Sequence, residues 1–421
     1  MKDSRAPSTP ARPPNGPPSL LLVTTVPATI NAFLAPFVEH FTRRGWRVDV
    51  ATGDGPIADR VRELADAVHR VGWSRRPGEV VGIARSARRM RRLLMDGDFD
   101  IVHVHTPIAA GVTRAAAASI ARSHRPAVVY TAHGFHFTPD TPRLRRVPPQ
   151  VFEWVAGRAT DQLIVINEAD RNAAERLRLA RRGCIARLPG IGLDLGWYRD
   201  TPQLRLAAAT VRAGLGLPED APLLTFVGEL VGRKGPQHAI DAVAALDRRQ
   251  VHLALAGTGP DQAALETQIA TLGLTGRVHF LGQVADIRPL VLASALVTLP
   301  SYREGLSRAV LEALALGVPV VGSDIRGIAD SVLPDGGIVV PIGDVGALTT
   351  AYRSVLDNPG RSPEASEALR ERVATYSVDA VLRAHEAIYA GAIDRRMPKP
   401  SSHRPRHAMS PAGVPSSGAV R

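Results

Sequence analysis

The chain has 421 residues, room for two large domains or three small ones at about one domain per 150 residues, and its 45% apolar, 22% charged composition excludes global disorder. The single cysteine, Cys184, excludes an internal disulfide and a cysteine-built zinc site, and points to a reducing compartment. The net charge of +12 divides into +2 in residues 1–18, +6 in residues 395–421 and +4 in the body, so it does not describe a nucleic-acid-binding core.

Both ends are rich in Pro, Ser and Arg without apolar periodicity, and residues 1–18 and 395–421 are expected to be disordered basic tails. No signal-peptide core opens the sequence, and no stretch offers the roughly 18 consecutive apolar residues of a spanning helix. The expected location is the cytoplasm. Between the tails, short apolar runs alternate with longer helical patterns, which predicts α/β architecture with parallel sheets wrapped by helices. The first set of strands is expected at Leu20–Thr24, Val48–Ala51, Ile101–His105, Val128–Ala132 and Leu163–Ile166. The second is expected at Leu223–Val227, Leu253–Ala256, Val278–Leu281, Leu296–Leu299, Val318–Val321 and Ile338–Val340. Two sets predict two similar domains, 19–195 and 196–377, with a linker between Pro189 and Pro222 that carries the turn Gly190-Ile191-Gly192. Val378, Val381, Leu382, His385, Ile388 and Tyr389 share one helical face, predicting a last amphipathic helix over 378–394.

Along this frame several motifs are weak. The turn after the first strand, Thr25 to Asn31, has no glycine, so a dinucleotide fingerprint is missing and an NAD or FAD enzyme is disfavoured. The run Arg85 to Leu94, with five arginines, and the group Arg143, Arg145 and Arg146 read either as solvated faces or as contacts to an anionic surface. Asp98-Phe99-Asp100 fits an Asp-x-Asp metal pattern, but Asp100 leads straight into a strand and reads as its solvated start, so no metal is expected. Gly257-Thr258-Gly259 lacks a third glycine, and a tight turn accounts for it.

The segment Ser301 to Val320 is the most informative. A loop carrying Glu304 and Gly305 follows a strand, and a nearly all-apolar helix from Ser307 to Leu316 contains Glu312. A buried, unpaired carboxylate costs several kcal/mol, so Glu312 needs a partner: sugar or ribose hydroxyls, or an arginine at a domain surface. The free N–H groups at the helix start beside Gly305 suit a phosphate.

The spacing Glu304, seven residues, Glu312, running on into Gly317-Val318-Pro319-Val320-Val321, resembles the signature of the retaining glycosyltransferases of GT-B fold that include phosphatidylinositol mannosyltransferases. Val227-Gly228-Glu229-Leu230 with Arg233-Lys234-Gly235, and Ala256-Gly257-Thr258-Gly259-Pro260, resemble further motifs of that family in the same order. His103-Val104-His105-Thr106-Pro107, Thr131-Ala132-His133-Gly134-Phe135 and Pro189-Gly190-Ile191-Gly192 are similar to its exopolysaccharide and capsule branch. The resemblance implies two Rossmann-like domains facing across a cleft, and transfer of a sugar, UDP-linked, to a lipid-linked glycan with retention and without a metal or other cofactor. It also implies partners: a nucleotide-sugar donor, that acceptor and an anionic membrane surface on the inner face.

By the same resemblance Glu304 would bond the donor sugar and the N–H groups of Leu306 and Ser307 would hold its distal phosphate, beside Gly228 and Gly305. Glu312 would take the ribose, Lys234 would neutralise the diphosphate, and His133 would face the sugar from the first domain. Where the family has arginine this chain has Glu229, and Arg233 could supply the missing charge. Two rivals share the architecture: a UDP-sugar 2-epimerase, which needs no acceptor, and a catalytically degenerate scaffold, which binds no nucleotide.

Overall fold

The computed structural model describes residues 16–73, 80–135, 137, 142–332, 336–358 and 363–396; residues 1–15 and 397–421 of the expected tails, and His136, lie outside them. Two parallel sheets are present. The first holds β1 (Ser19–Val23), β2 (Arg47–Thr52), β3 (Ala67–Arg70), β4 (Ile101–Val104), β5 (Ala127–Ala132), β6 (Gln162–Val165) and β7 (Ile185–Arg187), in the order β3-β2-β1-β4-β5-β6-β7. The second holds β8 (Leu223–Val227), β9 (His252–Ala256), β10 (Val278–Gly282), β11 (Leu296–Leu299), β12 (Val320–Ser323) and β13 (Gly337–Val340), in the order β10-β9-β8-β11-β12-β13. Each is a doubly wound Rossmann-like sheet, as expected.

The central strands read as unbroken apolar runs because helices cover both faces; Leu20, Leu21 and Leu22 are all wholly buried. The two strands that no apolar run announces, β3 and β7, lie at the edges of the first sheet, where burial is partial and Ala67-Val68-His69-Arg70 satisfies it. The strand expected from Val318 begins instead at Val320. Pro319 has no N–H to donate, and the Val318 N–H closes the preceding helix onto the Ala313 carbonyl at 2.9 Å.

The linker contains the helix Pro202–Gly214, capped by the Thr201 side chain. The last helix, Val378–Asp394, is capped by Ser377 Oγ, which accepts the Ala380 N–H at 3.2 Å. Although it follows the second sheet in sequence, it packs on the first: Val381, Leu382, Tyr389 and Ala392 share a core with Leu20, Leu22, Phe37 and Phe41. The opposite face of the first sheet is covered by the helices Val80–Asp96 and Pro107–Ala118, with Arg143–Ala156 laid outermost.

Candidate active site

In both sheets the strand order reverses at one point, between β1 and β4 and between β8 and β11, and the loops leaving the strands there diverge into a crevice. The loop after β8 carries Lys234 and the loop after β11 carries Glu304. Their side chains meet at 2.6 Å although 70 residues separate them, and Ser301 Oγ donates to the same Glu304 oxygen at 3.0 Å. Both charges are largely shielded, with side-chain exposures of 19% and 10%.

Gly305 is where the two halves touch. A Cβ on it would lie 2.3 Å from the His133 carbonyl oxygen, and its own carbonyl accepts from Asn167 Nδ2 at 3.3 Å. Beside it Arg326 of the second half donates to the buried Asp170 of the first at 2.6 Å and to the Phe135 carbonyl at 3.1 Å. Burial raises the Asp170 carboxyl, and Arg326, Asn167 and the Phe135 N–H pull it back. Neither Asp170 nor Arg326 carries a local motif.

Two cavities flank this contact. One of about 530 Å³ lies in the second half, lined by Tyr198, Gly228, Glu229, Gly257, Arg308 and Glu312 among others. Gly257, at φ +151°, lets the turn after β9 reach it, since a Cβ there would sit 1.9 Å from the Gly228 carbonyl oxygen. The other, of about 310 Å³, lies between the halves, lined by His105, His133, the Gly190–Leu193 turn, Gly305, Leu306 and Arg308. Arg308, which the sequence did not single out, borders both.

Glu312 finds its partners within the protein. Its Oε1 accepts from Tyr198 Oη at 2.6 Å and from Arg308 Nε at 2.7 Å, so of the two partners the sequence left open, the arginine is the one in contact. Burial and that carboxylate raise the Tyr198 phenol, keeping it a donor. At the start of the same helix, Arg308–Ala315, the Ser307 N–H donates to the Gly327 carbonyl at 3.1 Å. The expected phosphate donor at Ser307 is therefore engaged, which leaves the Leu306 N–H and the first-turn N–H groups of the helix as the donors at that point. Arg233 lies against Glu229 at 2.6 Å, both side chains half exposed, and cancels that charge locally.

His133 leaves β5 into the interdomain cavity, where it is exposed, and a series of buried histidines lies behind it. Its Nε2 is 3.4 Å from His105 Nδ1; the His105 ring lies 3.9 Å from that of His103, and His103 Nδ1 is 2.5 Å from Tyr389 Oη on the last helix. His385 of that helix stands 5.5 Å from the His103 ring. Burial lowers His103, His105 and His385, the last to about 4, so these three rings are neutral near pH 7. Among the described residues no group of three or more His, Cys, Asp or Glu is arranged to hold a metal ion.

Residues 31–189 match the family described as Glycosyltransferase Family 4, and residues 208–375 match Glycosyl transferases group 1. EpsD of Bacillus subtilis (strain 168), provisionally named a glycosyltransferase, is 30% identical over 382 residues, covering 89% of this chain and 97% of its own. The D-inositol 3-phosphate glycosyltransferase of Mycolicibacterium smegmatis is 30% identical, covering 89% of each chain. Among solved structures, sucrose-phosphate synthase of Thermosynechococcus elongatus superposes with a TM-score of 0.74 over 90% of this chain and 100% of its own, at 20% identity. Anabaena HepE, solved in complex with UDP, superposes with 0.72 over 89% and 100%, also at 20% identity.

Proposed function

Since the chain belongs to the glycosyltransferases of GT-B fold, we propose that it moves a sugar from a UDP-linked donor to a hydroxyl of a lipid-linked glycan, with retention at the anomeric carbon, in exopolysaccharide or capsule assembly. The observation that carries the reading is the Lys234–Glu304 pair at the switch point of the second sheet, next in sequence to Gly305, which lines the interdomain cavity. In this reading the nucleoside occupies the cavity of the second half. Glu312 Oε2, which carries neither of the internal bonds, accepts from a ribose hydroxyl.

The diphosphate lies against Lys234, the Leu306 N–H and the first turn of the helix, where cation and helix dipole act together on the departing charge. Lys234 exchanges its partner for the phosphate, and Glu304 is freed to accept from a donor-sugar hydroxyl. His133 meets the sugar from across the cleft, opposite Gly305. Positioning and stabilisation of the leaving group supply the rate, with the acceptor hydroxyl attacking on the face that the diphosphate leaves and giving its proton to a donor phosphate oxygen. No metal is assigned a step. The acceptor approaches along the first half at the inner membrane face.

A thermal-shift screen of nucleotide diphosphates and sugars tests the donor: a ligand at about 100 times its Kd stabilises by roughly 2.7 kcal/mol, and UDP is expected to be among those that do. A flat response to every nucleotide would remove the enzymatic reading. NMR of the product's anomeric carbon then tests retention, and conversion of UDP-N-acetylglucosamine to its 2-epimer without acceptor would assign an epimerase instead.

A further inference from the structure

We infer that an arginine-lined pocket at the strand-start edge of the first sheet binds a small, soluble phosphate monoester with an aromatic or apolar body, at a site separate from the cleft. The inference does not rest on the transferase reading. The pocket, of about 560 Å³, takes its lining from segments that precede strands: Arg122 and Arg125 before β5, Ala159 before β6 and Arg181 before β7. His133 leaves the other end of β5, and the six residues of that strand, at ~3.3 Å each, put about 20 Å between pocket and cleft.

Arg114 and Arg158 also line the pocket, and no Asp or Glu is among the described residues that do. Arg114 is compensated, because Glu153 holds it with two bonds, at 2.8 and 3.2 Å. Arg122 and Arg125 share a single acid outside the lining. Asp161 Oδ2 accepts from Arg125 Nη1 and from the Val128 N–H, both at 2.9 Å, and Oδ1 lies 3.6 Å from Arg122. Arg396, at the end of the last helix, brings a third guanidinium within 3.4 Å of the same carboxylate, and its Nη2 is buried with no hydrogen-bond partner among the described residues.

Arg125 is the group best placed for a ligand. Its side chain is only 6% exposed yet lines the cavity, and its two bonds, to Asp161 and the Pro126 carbonyl, both leave from Nη1. Nε and Nη2 make none among the described residues. Burial lowers this guanidinium; Asp161 opposes the shift, and Arg122 and Arg181 add to it. An anion seated among these side chains supplies the missing acceptors and offsets the crowding of like charge.

Charge and shape select the ligand class. A carboxylate brings two oxygens and one charge, whereas a phosphate monoester brings three oxygens and close to two charges, enough for the forks of Arg122, Arg125 and Arg181 together. A phosphodiester headgroup, with one charge, falls short on the same count. Inorganic phosphate leaves the opposite wall bare. Phe152 and Val155 of the helix Arg143–Ala156, turned outward while Glu153 holds Arg114 on the inner side, line the same pocket and are 48% and 55% exposed. An aromatic or apolar group attached to the phosphate covers them. The arginine run on the helix Val80–Asp96 is a plain charged face by comparison: Arg88, Arg89, Arg91 and Arg92 are exposed, and Met90 and Leu94, expected near a membrane, are buried in the core.

The test is isothermal titration of the full chain with phenyl phosphate, against inorganic phosphate, benzoate and a soluble short-chain phosphatidylglycerol. One phenyl phosphate is expected to bind with a Kd below about 1 mM, and the other three at least roughly tenfold more weakly. Saturating UDP is expected to leave that binding unchanged. R122Q/R181Q, at two exposed side chains, and V155E, which adds an acid to the lining, are each expected to lose roughly tenfold or more with unchanged melting temperatures. Binding of phenyl phosphate to both variants as to wild type would overturn the inference. So would its displacement by UDP, which would put the probe in the cleft, tighter binding of the short-chain lipid, which would assign a headgroup, or no binding at about 1 mM. None of these outcomes touches the UDP thermal shift, so the transferase reading stands or falls separately.

Discussion

The two halves have the same wound parallel sheet and opposite chemistry at the cleft. The first half offers His133 at the cleft with the neutral, buried His105 and His103 behind it, backed by Tyr389 and His385 of the last helix. The second offers charges already paired with one another: Lys234 with Glu304, Arg308 with Glu312 and Arg233 with Glu229. Under the proposed function, a half that receives a hydroxyl-bearing acceptor needs no charge of its own, whereas a half that grips a diphosphate must hold cations without leaving them uncompensated before the ligand arrives. Pairing them internally does so, and the pairs can be exchanged for ligand oxygens.

The sharpest way to separate the halves is pH. An unfolded histidine takes up its proton at ~6.5, while the buried His385 remains neutral down to about 4, and the buried His103 and His105 are lowered as well. Between those values the unfolded chain binds more protons, so stability is complete above the unfolded value and falls as pH drops through this window. Each histidine contributes about 1.4 kcal/mol per pH unit. Melting curves between pH 7.5 and 5 are expected to fall steeply, and replacing His385 with phenylalanine to flatten them; a flat wild-type profile would contradict the neutral cluster.

On the charged side, Lys234→Ala is expected to lower kcat by about 10²–10³, the size of one lost transition-state contact, with little change in melting temperature. A loss confined to KM would assign Lys234 to ground-state binding alone. Glu312→Ala is expected to weaken UDP by about tenfold to a hundredfold in isothermal titration, since it removes a charged acceptor and also frees Arg308 and Tyr198. Unchanged affinity would leave Glu312 as a structural ion pair and no more.

The smallest effect is expected at Arg233. Its contact with Glu229 is half exposed, so Arg233→Ala is expected to cost about twofold to fivefold in turnover, and adding Glu229→Ala to restore most of it. A loss as severe as that of Lys234→Ala, unrelieved by the second change, would mean that Arg233 reaches the diphosphate itself.

The sequence determined the two-sheet architecture, because parallel strands covered by helices read as apolar runs, and eleven strands did so, the edges β10 and β13 of the second sheet among them. It also located the ordered motifs around Lys234, Glu304 and Glu312, since a carboxylate in an apolar helix needs a partner wherever it folds. The edge strands β3 and β7 were not legible, because Ala67-Val68-His69-Arg70 and Ile185-Ala186-Arg187 are too short and too mixed to make an apolar run, unlike the edges β10 and β13 of the second sheet. Only the tertiary structure decided which charges meet: Lys234 with Glu304 across 70 residues, Arg326 with Asp170 across 156, and the last helix returned to the first sheet. It also decided that the outer helix turns its apolar face away from the core. Periodicity records that a helix has an apolar face, but the direction of that face is set by long-range contacts, here the Arg114–Glu153 pair, which no local pattern encodes.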